Sequence, residues 1–155
     1  WEKAVARPAV RGPRPASLSG VRALVVEDEA GARELITITL EQQGALVTDV
    51  DSAAAALAAL ESQLEGGAAR APFDVLISDI GMPGGDGYEL IRRVRSHTDK
   101  RVSGIRAVAL TAYARTEDRM QALRAGFQMH VPKPVDEAEL TTVIAALTGR
   151  TPGQD

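Results

Sequence analysis

Four short apolar runs in this chain are each followed, at once or one residue later, by side chains able to handle a metal ion or a phosphoryl group. Glu27, Asp28 and Glu29 follow VRALVV, Asp79 follows DVLIS, Thr111 follows IRAVAL, and Lys133 with Pro134 follows the run that ends at Val131. If the runs are parallel strands, three or four carboxylates, a hydroxyl and an ammonium converge on one edge. Crowded carboxylates repel unless a hard cation joins them, and an all-oxygen donor set with room for water suits Mg2+ or Mn2+. A carboxylate held there can attack phosphorus once the cation neutralises the incoming phosphoryl oxygens, while the hydroxyl and ammonium bind the oxygens that remain. The chemistry is that of a phospho-aspartate site.

The elements that must position these residues follow from two alternating periodicities. Strand-like runs at Val21 to Val26, Ala45 to Val50, Asp74 to Ser78, Ile105 to Leu110 and Phe127 to Val131 are nearly continuous in apolar residues, as in a sheet buried on both faces. Between them lie helical stripes: Ala32, Leu35, Ile36, Leu40; then Ala53, Ala56, Leu57, Leu60, Leu64; then Leu90, Ile91, Val94. Met120 and Leu123 follow a cap candidate at Thr116, and Leu140, Val143, Ile144 and Leu147 complete the series. Asp86 with Glu89, and Asp136 with Glu139, have capping-box spacing. Five strand–helix units of this length predict an α/β fold, an open, doubly wound five-stranded parallel sheet whose ligands sit at the carboxyl ends of the strands.

Composition narrows the classes further. A chain of 155 residues holds one ordinary core, and the absence of cysteine excludes disulfides, thiolate metal sites and thiol nucleophiles. No run approaches a membrane span, the longest small-residue stretch ending at Glu61. Residues 1–20 carry a net charge of +3 and three of the prolines, whereas residues 21–149 carry 13 basic and 19 acidic side chains. We therefore expect a flexible linker over 1–20, a folded domain over 21–149 and a polar tail over 150–155. Without aromatic interleaving or helical phasing the basic linker is given no nucleic-acid role. Opening on Trp1, the chain reads as a piece of a longer protein.

The segments VRALVVEDE, DVLISDIGMPGGDGYEL, VALTAYA and HVPKPV resemble the receiver domain of two-component response regulators, from about Val21 to Leu147. The resemblance implies a flavodoxin-like sheet in the order 2-1-3-4-5. It implies that Asp79 is the phosphoacceptor and that Glu27 and Asp28 hold Mg2+, Asp28 directly, with Gly81 as a backbone-carbonyl ligand. Thr111 is implied as the hydroxyl that follows the phosphoryl group, Lys133 as its counter-ion, and Pro134 as the proline after a cis peptide. The partner is then a histidine kinase phosphodonor domain or a histidine phosphotransfer protein, in the cytoplasm, with self-catalysed phosphotransfer and autodephosphorylation and no membrane contact. The run AGFQMHVPKPVDEAEL points to the receiver of a hybrid sensor histidine kinase. Where the family usually has tyrosine or phenylalanine as a switch residue partnered with Thr111, this chain has His130.

Plainer readings weigh against some of these residues. Glu29 is better read as a solvated or helix-capping carboxylate. Gly81, Gly84, Gly85 and Gly87 lack a following Gly-Lys-Ser/Thr and read as turn residues. The stretch Glu65 to Pro72 reads as a surface loop, Tyr113 as a residue overhanging the site, and His97 as favouring a helix C-terminus. Other readings of the chain are a stand-alone response regulator, a Mg2+-dependent aspartyl-phosphate phosphatase, or a docking module that keeps only the fold. The phosphatase needs a general acid two residues beyond the nucleophile, where this chain has Gly81.

Overall fold

The computed structural model describes residues 18–65, 72–81, 87–112 and 116–149. The two periodicities become β1 (Arg22–Val26), α1 (Ala30–Gln42), β2 (Leu46–Val50), α2 (Ala53–Glu65), β3 (Val75–Asp79) and α3 (Gly87–Arg95). They continue as a single turn α4 (Lys100–Ser103), then β4 (Arg106–Thr111), α5 (Thr116–Ala125), β5 (Met129–Pro132) and α6 (Glu137–Leu147). The five strands form one parallel sheet in the order β2-β1-β3-β4-β5, the flavodoxin-like order 2-1-3-4-5.

Strand side chains alternate between the faces, and each face has its own core. Ala23, Val25, Ile77, Val108 and Leu110 pack under α1 and α6 against Ile36, Leu40, Leu140 and Ile144. Leu24, Val26, Leu76, Ala107 and Ala109 pack under α2, α3 and α5 against Leu60, Leu90, Ile91 and Val94. The central strand β3 is buried throughout, whereas the edge strands β2 and β5 are not. Burial on both faces thus holds for the inner strands and is corrected for the edges, which have a neighbour on one side alone.

Two helical stripes are also corrected. Leu35 points away from the sheet, 56% exposed, because Ile36, Thr39 and Leu40 define the buried face of α1. On α5, Met120 and Leu123 are each 42% exposed and Ala122 is the residue that packs. Leu18, inside the stretch 1–20 expected to be a linker, is instead fully buried, its N–H bonded to the Gln43 carbonyl at 2.9 Å. Caps follow local chemistry. Asp136 accepts from the Glu139 N–H at 2.9 Å, and Asp99 caps α4, a turn the periodicity did not reveal. The Arg101 guanidinium returns to Asp99 and holds its carboxyl down to about 2. The box at Asp86, the Glu65 to Pro72 loop beyond its ends, Gly84, Gly85, Tyr113, residues 1–17 and the tail 150–155 lie outside the described residues.

Candidate functional site

Parallel strands end at the same edge, so β1, β3, β4 and β5 deliver their next residues to one place. Glu27, directly after β1, is 1% exposed, while Asp28 beside it faces solvent. Asp79 is the last residue of β3 and is buried. One carboxylate oxygen from each of Glu27, Asp28 and Asp79 lies within 4.8 Å of the others. Glu29, next in line, turns away: its carboxylate caps α1 by accepting the N–H groups of Gly31 and Ala32 at 3.1 and 2.7 Å. Those bonds hold its own carboxyl below the usual range.

Lys133 reaches into the cluster from beyond β5. Its Nζ lies 2.9 Å from Glu27 Oε1 and 3.1 Å from Asp79 Oδ2. Burial works against the ammonium charge, but the bonds to Glu27 and Asp79 outweigh it and push the Lys133 pKa up. Burial pushes the Glu27 carboxyl up, against the lowering pull of Lys133 and the Glu29 N–H. Asp79 Oδ1 accepts the Gly81 N–H at 3.1 Å. The peptide between Lys133 and Pro134 is cis.

Beside Asp79 opens a pocket of about 310 Å³, lined among others by Thr111, Lys133, Tyr88, Asp118 and Gln121. The Thr111 hydroxyl is buried there with no hydrogen-bond partner among the described residues. An unpartnered buried hydroxyl costs about 1–3 kcal/mol, which an anionic oxygen entering the pocket would relieve. The donor set fits a hard divalent cation: the clustered ligands are carboxylate oxygens, with no nitrogen or sulfur ligand to favour a softer metal.

Several contributors were not legible from residue type. Gly87, read as a turn glycine, begins α3 against the end of β3. A Cβ there would lie 2.6 Å from the Asp79 carbonyl oxygen and 2.8 Å from Ile80 Cα, so only glycine lets α3 start this close. Tyr88, Asp118 and Gln121 become pocket walls through helix placement alone. His97 lies beyond α3 and holds a bend: Nε2 is 2.8 Å from Glu61 Oε2, and Nδ1 accepts the Asp99 N–H at 2.9 Å. His130 is half-buried on β5, opposite Ala109 in the register.

The chain is similar to known proteins in sequence and in fold. A family model for the response regulator receiver domain matches residues 23–145. The chain is 42% identical over 128 residues to an uncharacterized 14.6 kDa protein of Leptolyngbya boryana, covering 83% of this chain and 90% of that protein. It is 33% identical over 129 residues to the sensor histidine kinase GacS of Pseudomonas protegens, covering 83% of this chain but 13% of the kinase. A solved putative response regulator from Chloroflexus aurantiacus matches with a TM-score of 0.74 at 26% identity, over 85% of this chain and all of that one. In sequence and in fold alike, the chain belongs to the receiver domain family of two-component response regulators.

Proposed function

We propose that Asp79 accepts a phosphoryl group from a phosphohistidine, with Mg2+ held by Glu27, Asp28, Asp79 and the Gly81 carbonyl. The carrying observation is the pocket in which the Asp79 carboxylate meets the Lys133 ammonium at 3.1 Å and the unpartnered Thr111 hydroxyl. An Asp79 carboxylate oxygen bonds to phosphorus as the donor's P–N bond breaks. The electron pair stays on the donor imidazole nitrogen, which takes a proton from solvent. Thr111 donates its O–H to one phosphoryl oxygen, and Lys133 neutralises another, as charge-assisted hydrogen bonds favour. The divalent ion, when bound, neutralises the charge on the phosphoryl oxygens. Movement of Thr111 toward the phosphoryl group vacates space on the face where the small Ala109 lies opposite His130, and His130 turns toward it. That motion alters the surface offered to partners.

The phosphodonor is a histidine kinase or histidine phosphotransfer protein, and the cytoplasm is where such a donor would meet this domain. Likeness to GacS supports a hybrid kinase as the parent protein. A stand-alone regulator is the second reading, favoured by the 42% identical protein of which this chain covers 90%. The folded unit on this reading is 21–149 with Leu18 to Gly20 added.

Incubation with acetyl phosphate and measurement of intact mass tests the assignment. A gain of one phosphoryl group is expected with Mg2+, none in its absence and none in Asp79→Asn. Equal labelling of the Asn variant overturns it. Mg2+ should also raise the thermal midpoint by mass action, and Asp28→Ala should remove that rise.

A further inference from the structure

The end of β1 is held in a way that strand pairing does not provide. The Glu27 N–H continues the ladder to the Val50 carbonyl at 3.1 Å, but β2 stops at Val50. The Glu27 carbonyl, one step further on, is met instead by a side chain. Arg33 Nη1 donates to it at 2.9 Å, and Arg33 Nε lies 3.4 Å from Asp49 Oδ2 on β2. The Arg33 side chain, 22% exposed, is thus fixed between α1, the β2 edge and the backbone that carries the acidic pair. Its planar fork suits this double duty better than an ammonium would.

We propose that Arg33 is a positioning residue for the divalent-cation site, holding the Glu27–Asp28 backbone so that both carboxylates face Asp79. The inference rests on the reading of Glu27, Asp28 and Asp79 as a metal site. Glu27 has other restraints, since its carboxylate bonds to Lys133 and accepts the Glu29 N–H at 3.2 Å. Asp28 is exposed, and its carboxylate makes no hydrogen bond or ion pair among the described residues. Its direction is therefore set by its backbone, which Arg33 pins one residue away.

Charge and geometry make opposite demands on this arginine. A fixed cation near a cation site opposes metal binding, so by charge alone removal of Arg33 tightens Mg2+ binding. A support that orients the ligands acts the other way, and loss of such outer partners typically weakens metal affinity about 10–100-fold. The sign of the change separates the two.

The experiment is a Mg2+ titration of the full 155-residue chain, followed by backbone amide NMR shifts of Asp28 and Gly81. Arg33→Met should weaken Mg2+ binding by about 10-fold. Arg33→Lys, which keeps the charge but loses the fork, and Asp49→Asn, which loosens the anchor, should weaken it less. A purely structural arginine would lower the thermal midpoint and leave the Mg2+ affinity of the folded protein unmoved. If Arg33→Met does not fold, the other two variants decide. Unchanged or tighter binding in the folded variants overturns the inference and spares the metal site. A parent chain whose amides do not respond to Mg2+ overturns both.

Discussion

Helices α5 and α6 flank the same edge strand on opposite faces of the sheet and differ by one residue in length, yet they are held by different means. α6 buries Leu140, Thr141, Ile144 and Ala145, starts on the Asp136 cap and joins the core under α1. α5 buries Ala122 alone and leaves Met120 and Leu123 exposed. Its firm point lies at its C-terminal end. There Arg95 Nε bonds to the Gly126 carbonyl at 3.0 Å and Nη2 to Gln128 Oε1 at 3.1 Å. The same guanidinium holds the carbonyls of Ser103 and Ile105. The helix that contributes Asp118 and Gln121 to the pocket is therefore the one with little apolar anchorage and a polar pin at its far end. Apolar burial anchors one of the two helices that flank β5, and a polar pin at its C-terminal end anchors the other.

The largest expected effect tests that division directly. Leu140→Ala, at a fully buried position on α6, should cost about 2–5 kcal/mol of unfolding free energy in urea. Leu123→Ala on α5 should stay within about 0.5 kcal/mol, as exposed positions do. Similar losses at both sites would erase the contrast.

The polar pin comes next. Gly126 has φ +130°, a left-handed conformation that disfavours side chains, and a Cβ there would lie 2.9 Å from Arg95 Cγ. Arg95 cannot easily yield because its guanidinium is bound to three carbonyls and a side-chain amide. Gly126→Ala should therefore destabilise by more than about 1 kcal/mol. It should also speed amide hydrogen exchange in α5 more than in α6. Equal acceleration in the two helices would show that the pin does not belong to α5.

Asp136→Ala removes the cap of α6 and should cost about 1 kcal/mol in the same urea titration. A cost near that of Leu140→Ala would mean that capping, not burial, holds α6.

The smallest effect concerns the residue between the two helices. Burial lowers the His130 pKa from 6.5, Arg119 on α5 lowers it further, and Glu139 on α6 acts in the opposite sense. The unfolded chain then takes up the proton more readily than the folded one. His130 contributes stability that is fully present above 6.5 and declines as the pH falls toward its lower folded value. His130→Gln should flatten that part of the stability profile slightly. A steeper acid loss in the variant would reverse the sign assigned here.

The local content of the sequence determined a large part of this protein. Apolar runs alternating with helical stripes set five parallel strands, and residue types directly after those runs marked Glu27, Asp28, Asp79, Thr111 and Lys133, because a strand delivers its next residue to the carboxyl edge whatever packs around it. Asp136 was legible as a cap for the same reason, since a cap bonds within its own turn. What only the tertiary structure decided depends on partners far along the chain. The placement of Leu18 in the core, the outward face of Leu35, the loose seating of Met120 and Leu123, the close approach at Gly87 and the hold of Arg33 on the Glu27 carbonyl are of this kind. Side-chain type and spacing set how a segment folds locally. Which of its faces meets another segment, and how closely, is fixed when separate elements compete for the same volume.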